Sequence, residues 1–116
     1  MSFHMTHAVD HKYEAAVDEN GVVVFNTQGN LWGFLAENNS TSDIYLQFFD
    51  AASLAAATSI AFTVRLSASS ALGKDADEIS MHHFKNGCVV KAVNDARNGS
   101  ALSVTEPTIN FWYSQQ

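Results

Sequence analysis

The pattern of apolar and polar positions centres on the stretch from Asn30 to Asp50. It holds two aromatic-rich apolar runs, Leu31 to Glu37 and Asp43 to Asp50, joined by Asn38-Asn39-Ser40-Thr41-Ser42. The short polar side chains of that joint bond back to their own backbone and tolerate sharp bends. Two apolar runs with a short polar joint predict a β-hairpin. In the second run Ile44, Leu46 and Phe48 point one way and Tyr45, Gln47 and Phe49 the other. Both faces are largely apolar, so this strand is expected to sit centrally and to be covered on both sides.

The remaining pattern is also that of short strands. Lys12 to Val17 reads as a first strand or a helical turn, and Asp18-Glu19-Asn20-Gly21 as a turn with glycine where positive φ costs least. Val22 to Phe25 is a β run, because β-branched residues resist helix. Ala51 to Thr58 has the highest helix propensity and is expected to be a connection holding at most a turn of helix. Ser59 to Leu66 alternates, with Ile60, Phe62, Val64 and Leu66 on one face and Ala61, Thr63 and an outward Arg65 on the other. Ser67 to Asp77 is small and polar, the longest loop candidate. Glu78 to Phe84 resumes a strand, Asn86-Gly87 predicts a tight primed hairpin turn, and Cys88 to Val93 is its return. After a turn over 94–99, Ala101 to Thr105 reads as a short strand, and Pro107 breaks or edges the sheet. Thr108 to Tyr113 closes the chain, with Ile109, Phe111 and Tyr113 on one face and Asn110 and Trp112 on the other. About eight strands at a spacing of ~8–12 residues predict an all-β sandwich or closed barrel, and the expectation is an antiparallel, single-domain sandwich over 12–116. Residues 1–11 lack apolar periodicity and read as an N-terminal arm.

Composition narrows the function classes. The 116 residues suffice for one domain with a real core. The net charge of −6, with six scattered cations, argues against a partner recognised through its phosphate backbone, so no nucleic acid is expected. No apolar run is long enough to span a bilayer, and no membrane partner is expected. A single cysteine, Cys88, allows no internal disulfide, and its apolar setting reads as a small buried residue. With no secretory layout at the N-terminus, synthesis in a reducing cytoplasm is expected.

No chemical constellation stands out. His4, His7 and His11 have helical spacing and His82 and His83 are adjacent. Zinc needs about four converging ligands, and adjacent strand residues face opposite ways. The histidines therefore read as solvated or interface groups, with a metal shared between subunits as the competing reading. Asp75-Ala76-Asp77-Glu78 lacks the glycine and distal glutamate of a helix–loop–helix calcium site. No nucleophile-elbow glycine pattern occurs. Trp32, Trp112, Phe34 and Phe111 read most simply as core, although such aromatic density also suits a subunit interface.

One resemblance adds to this. The strand Leu31-Trp32-Gly33-Phe34, the Asn39-Ser40-Thr41 turn, Tyr45-Leu46-Gln47-Phe48-Phe49-Asp50-Ala51, Phe84 with Asn86-Gly87 and Cys88-Val89-Val90, Gly99-Ser100, and Ile109-Asn110-Phe111-Trp112-Tyr113 together resemble small all-β virion proteins of tailed bacteriophages. About half the chain is covered, and the shared motifs are structural. The chain departs from that pattern at Ser53 to Ala57, where the family carries proline, and at Gly73 to Asp77, where a glycine-rich loop is usual. The resemblance implies a jelly-roll-like sandwich, a homotrimer, no enzymatic activity and a place in the virion; no cofactor is expected. The reading that follows is a capsid decoration (cement) protein whose partners are its own copies and a major capsid protein. The arm, through Phe3 and Met5, and the loop 67–77 would make lattice contacts, with Trp32 and Trp112 as further candidate interface residues. A tail-fibre or carbohydrate-binding module is the alternative, with exposed Trp or Tyr stacking on sugar rings.

Overall fold

A computed structural model describes residues 9–74, 82–95, 102 and 104–115. Nine strands occur among them, and no helix. They are β1 (Asp10–Glu14), β2 (Val22–Phe25), β3 (Gly29–Asn38), β4 (Ile44–Asp50), β5 (Ile60–Leu66), β6 (Ser70–Lys74), β7 (His82–Phe84), β8 (Cys88–Val93) and β9 (Thr108–Gln115). They form two antiparallel sheets packed as a jelly-roll-like sandwich. One sheet has five strands in the order β1-β9-β3-β6, with β7 also on β3, and the other has four in the order β2-β8-β4-β5. β6 lies along Phe34–Asn38 and β7 along Gly29–Leu31, so the two share one edge of β3.

The core lies between the sheets and is built from the inward residues of each strand. Leu31, Phe34, Ala36, Ile109 and Phe111 of the five-stranded sheet meet Ile44, Leu46, Phe48, Leu66, Cys88 and Val90 of the four-stranded one. Phe48 is the hub, stacked on Phe62 at 4.5 Å between ring centroids and tilted against Phe34 at 5.4 Å. Phe25 stacks on Tyr113 at 5.3 Å, which seats the far end of β9 on β2. Fully burying each such ring stabilises by about 1.5–3 kcal/mol, so the aromatic content is mostly accounted for by the sandwich interior.

The expected hairpin at 38–42 does not form. β3 belongs to the five-stranded sheet and β4 to the four-stranded one, so the joint is an arch from sheet to sheet. Its keystone is Asn38, buried at the end of β3. The Asn38 amide donates to the carbonyls of Ser42 (2.8 Å), Leu66 (3.1 Å) and Ser67 (3.2 Å), and its Oδ1 accepts from the Ser40 backbone N–H (2.9 Å) and hydroxyl (2.7 Å). The second sheet-changing joint, between β5 and β6, lies against the first: Ser69 N–H donates to Ser40 O at 2.9 Å, and Ala68 N–H to Asp43 Oδ1 at 3.0 Å. One buried amide thus satisfies backbone groups of two crossovers, which replaces the ladder that a hairpin would have supplied.

Asn86-Gly87 is likewise an arch rather than a primed hairpin turn, since β7 and β8 lie in different sheets. Asp50 accepts from the backbone N–H groups of Lys85 (3.0 Å) and Asn86 (2.8 Å) and caps this corner. Gly87 is required by close approach: a Cβ there would stand 2.6 Å from Ala51 O and 2.7 Å from Phe25 O. By contrast the turn at 18–21 is as expected, with Gly21 at φ 85° and its N–H donating to Asp18 O.

Three further expectations change, while the stretch 51–58 is a connection as expected. Half of the anticipated loop 67–77 is strand β6, while 75–77 lie outside the described residues. The described residues of 101–105 carry no strand; instead Leu102 and Val104 pack on the core. Residues 51–59 hold bends and a turn without helix. The first strand begins at Asp10, two residues inside the stretch assigned to the arm.

Candidate interaction surface

The outward residues of the five-stranded sheet form the most distinctive surface. Pairing of β1 with β9 sets His11 opposite Trp112 and Tyr13 opposite Asn110. On β3 a bulge between Leu31 and Gly33 shifts the register. The bulge lets Leu31 and Phe34, three apart, both face the core, and it turns Trp32 and Leu35 outward. Trp112 is 38% exposed, Leu35 41% and Tyr13 57%. Three neighbouring strands therefore present three large apolar side chains on one face.

Polar partners fix this face. His11 lies 5.1 Å from the Trp112 ring, and its Nε2 is 2.7 Å from Asn110 Oδ1. Trp32 Nε1–H donates to Ser114 Oγ at 2.9 Å. Farther along, His83 Nδ1 is 2.8 Å from Asn30 Oδ1, and its Nε2 is 3.4 Å from Gln28 Nε2. The outward side chains here are aromatic, amide, hydroxyl and imidazole, with Glu37 as the carboxylate of β3.

The edge of the same sheet is poorly suited to strand addition. Lys12 and Glu14 of β1 pair at 3.4 Å, on the opposite side of the strand from His11 and Tyr13. Charges on the inward side of an edge strand oppose pairing with a further strand. The β1 edge is thus blunted, while the face beside it is open.

Of the candidate residues named from sequence, Trp32 and Trp112 share this face, while Phe34 and Phe111 are core. Reading both tryptophans as core is therefore corrected: Trp112 is exposed and Trp32 half-buried, because β9 alternates and β3 bulges. Phe3, Met5, His4 and His7 lie outside the described residues. His11 is exposed, in keeping with its reading as a solvated or interface group, whereas Tyr13, Leu35 and Asn110 were not anticipated as surface partners. The signal for Tyr13 was its parity with His11, unreadable while 12–17 could be strand or helical turn.

The other chemical candidates fall into place elsewhere. Among the described residues no three His, Cys, Asp or Glu side chains converge as a metal site. His82 and His83 face opposite ways, the first onto Phe62 and Phe84 and the second onto Asn30. Cys88 is fully buried, and burial, with the Asp50 carboxylate adding to it, pushes its thiol well above the ordinary range. Such a thiol is packing material rather than a nucleophile. No helix is long and apolar enough to cross a membrane among the described residues.

No protein-family model matches the sequence, and no curated protein matches it. Among solved structures the chain is similar to the coat protein of Tobacco streak virus, with a TM-score of 0.42 and 9% identity, over 98% of this chain and 90% of that chain.

Proposed function

We propose that this chain is a virion structural protein of a tailed bacteriophage, a decoration protein that binds the capsid surface face-on and stiffens it. The observation that carries the reading is the aromatic outer face of the five-stranded sheet, with Tyr13, Leu35 and Trp112 exposed on adjacent strands. The resemblance of the strand sequences to small phage virion proteins supplies the biological setting. Tyrosine and tryptophan are the residues that dominate protein–protein contacts, since each covers 150–250 Å² with little rotamer entropy to lose. Burying about 100 Å² of ring surface favours association by about 2.5 kcal/mol before the costs of binding. Repetition on a symmetric lattice makes such modest contacts sufficient. In this reading the protein is a homotrimer, its partner is the major capsid protein, and the arm through Phe3 and Met5 adds a second contact. The sandwich performs no catalysis; its two sheets, joined by capped arches, make a rigid block.

The test is occupancy of purified capsids by the Tyr13→Ser/Trp112→Ser double variant. Loss of binding by a variant with unchanged circular dichroism is the expected result, and full occupancy would overturn the reading. Removal of residues 2–8 separates the arm from the face, since it should weaken binding without abolishing it.

A second reading rests on the same rings. Tyr13 and Trp112 flank Asn110, whose Oδ1 is engaged by His11. Two exposed rings beside an oriented amide suit the apolar face and hydroxyls of a sugar. Glycan-array binding that disappears in Trp112→Ala, with capsid binding intact, would favour this carbohydrate-binding module of a tail or fibre.

A further inference from the structure

His82 stands where the two sheets meet and is the one described histidine that faces inward. Its ring centroid is 4.7 Å from Phe62 on β5 and 4.7 Å from Phe84 on β7, tilted by 54° and 58°. Phe62 in turn stacks on Phe48, at the centre of the core. The imidazole is thus the last ring of a row that runs from the middle of the sandwich to its rim. Among the described residues β7 pairs with β3 only, and it is tied to the opposite sheet by fully buried Phe84, which meets Phe25 edge-on at 5.8 Å and Phe62 at 6.3 Å, and by the His82 ring as the outermost of these contacts.

We propose that His82 is a proton-operated latch: neutral, it closes the rim of the sandwich between β5 and β7, and protonated, it leaves the aromatic row and releases β7. Among the described residues, Phe62 faces the ring from β5, Phe84 from its own strand, and Leu31 is its partner on β3. Two titratable neighbours act on it from a distance, Asp50 at the end of β4 and His83. Burial disfavours the charged ring and holds its pKa below 6.5; Asp50 opposes this and His83 adds to it. Asp50 cannot follow the proton inward, because its carboxylate is held by the N–H groups of Lys85 and Asn86.

The sign follows from linkage. The closed state binds the proton less well than the open one, so the open state takes up protons between the closed-state pKa and 6.5. The closed form is at full strength above 6.5 and weakens as pH falls through that window. The factor by which opening rises approaches ten for each unit of pKa difference.

The experiment uses the full chain. Proton NMR of the His82 ring gives its titration directly, and hydrogen exchange at the β7 amides, corrected for intrinsic rate, gives opening between pH 7.5 and 5. Titration below 6.5, with β7 losing protection on acidification while the β4–β8 ladder keeps it, is expected. In His82→Phe, which keeps a ring in place without a titratable group, β7 protection should be independent of pH. Titration of the wild-type ring at or above 6.5 overturns the latch without recourse to any variant, and so does an acid response of β7 that persists in His82→Phe.

Discussion

The outer faces of the two sheets have similar sequences and opposite fates. On the four-stranded sheet Val23, Phe49 and Val89 point away from the sandwich interior, yet Phe49 is only 4% exposed and Val89 fully buried. The 51–59 connection lies over them and contributes Ala51 and Ala57 to a second small core. Lys91 completes the cover, with Nζ 4.9 Å from the Phe49 ring centroid and donating to Ala57 O at 3.3 Å. On the five-stranded sheet Tyr13, Leu35 and Trp112 occupy equivalent outward positions and remain exposed. Outward apolar residues are therefore core or contact surface according to whether a connection crosses them. The alanine-rich 51–59 segment, with small side chains that let its backbone lie close, makes one face core. The other face has no such cover among the described residues.

This contrast can be broken by measurement. Phe49→Ala should cost about 3–5 kcal/mol in chemical denaturation, as for a ring removed from a true core. A cost near zero would mean that the 51–59 cover is not a packed layer. Asn38→Ala should cost about 2–4 kcal/mol, because it removes a donor to the carbonyls of Ser42, Leu66 and Ser67 and the acceptor of the Ser40 N–H, leaving Ser42 O and Ser67 O only the hydroxyls of Ser40 and Ser70. That loss should loosen both crossovers together, seen as faster hydrogen exchange at Ala68 and Ser69 as well as at Ser40. Lys91→Met keeps an apolar stem under the connection but loses the cation over Phe49 and the bond to Ala57, for about 1 kcal/mol. Trp112→Ala should change stability least, by about 0.5 kcal/mol, while having the largest effect on partner binding. If Trp112→Ala destabilised the isolated protein as much as Phe49→Ala, the distinction between the two faces would fail.

Much of the sandwich was legible in the chain. The β-branched run at 22–25, the alternation of 62–66 and 109–113, and the two apolar faces of 44–49 each became strands with the faces assigned, because a period of two needs no knowledge of neighbours, whereas Ile60, expected to share the face of Phe62, lies past a bulge opposite Phe49 and is exposed. Even the cover over β4 was implied by its doubly apolar pattern, and the inert burial of Cys88 by its setting. The interaction face was half legible. Alternation set Trp112 on the face opposite Phe111, although it was read as core, while the outward turn of Leu35 and Trp32 was not legible, since the bulge that turns them has no marker in the sequence.

What the residues alone determined is most of the strands and, where no bulge intervenes, which side chains of each share a face, since a pleated backbone fixes both locally. Which strand lies beside which was decided only in three dimensions. A five-residue polar joint serves a hairpin and an arch equally well. The choice was made by buried Asn38 bonding across two crossovers, by Asp50 capping the next corner, and by Gly87 fitting where the backbones of Ala51 and Phe25 leave no room for a Cβ.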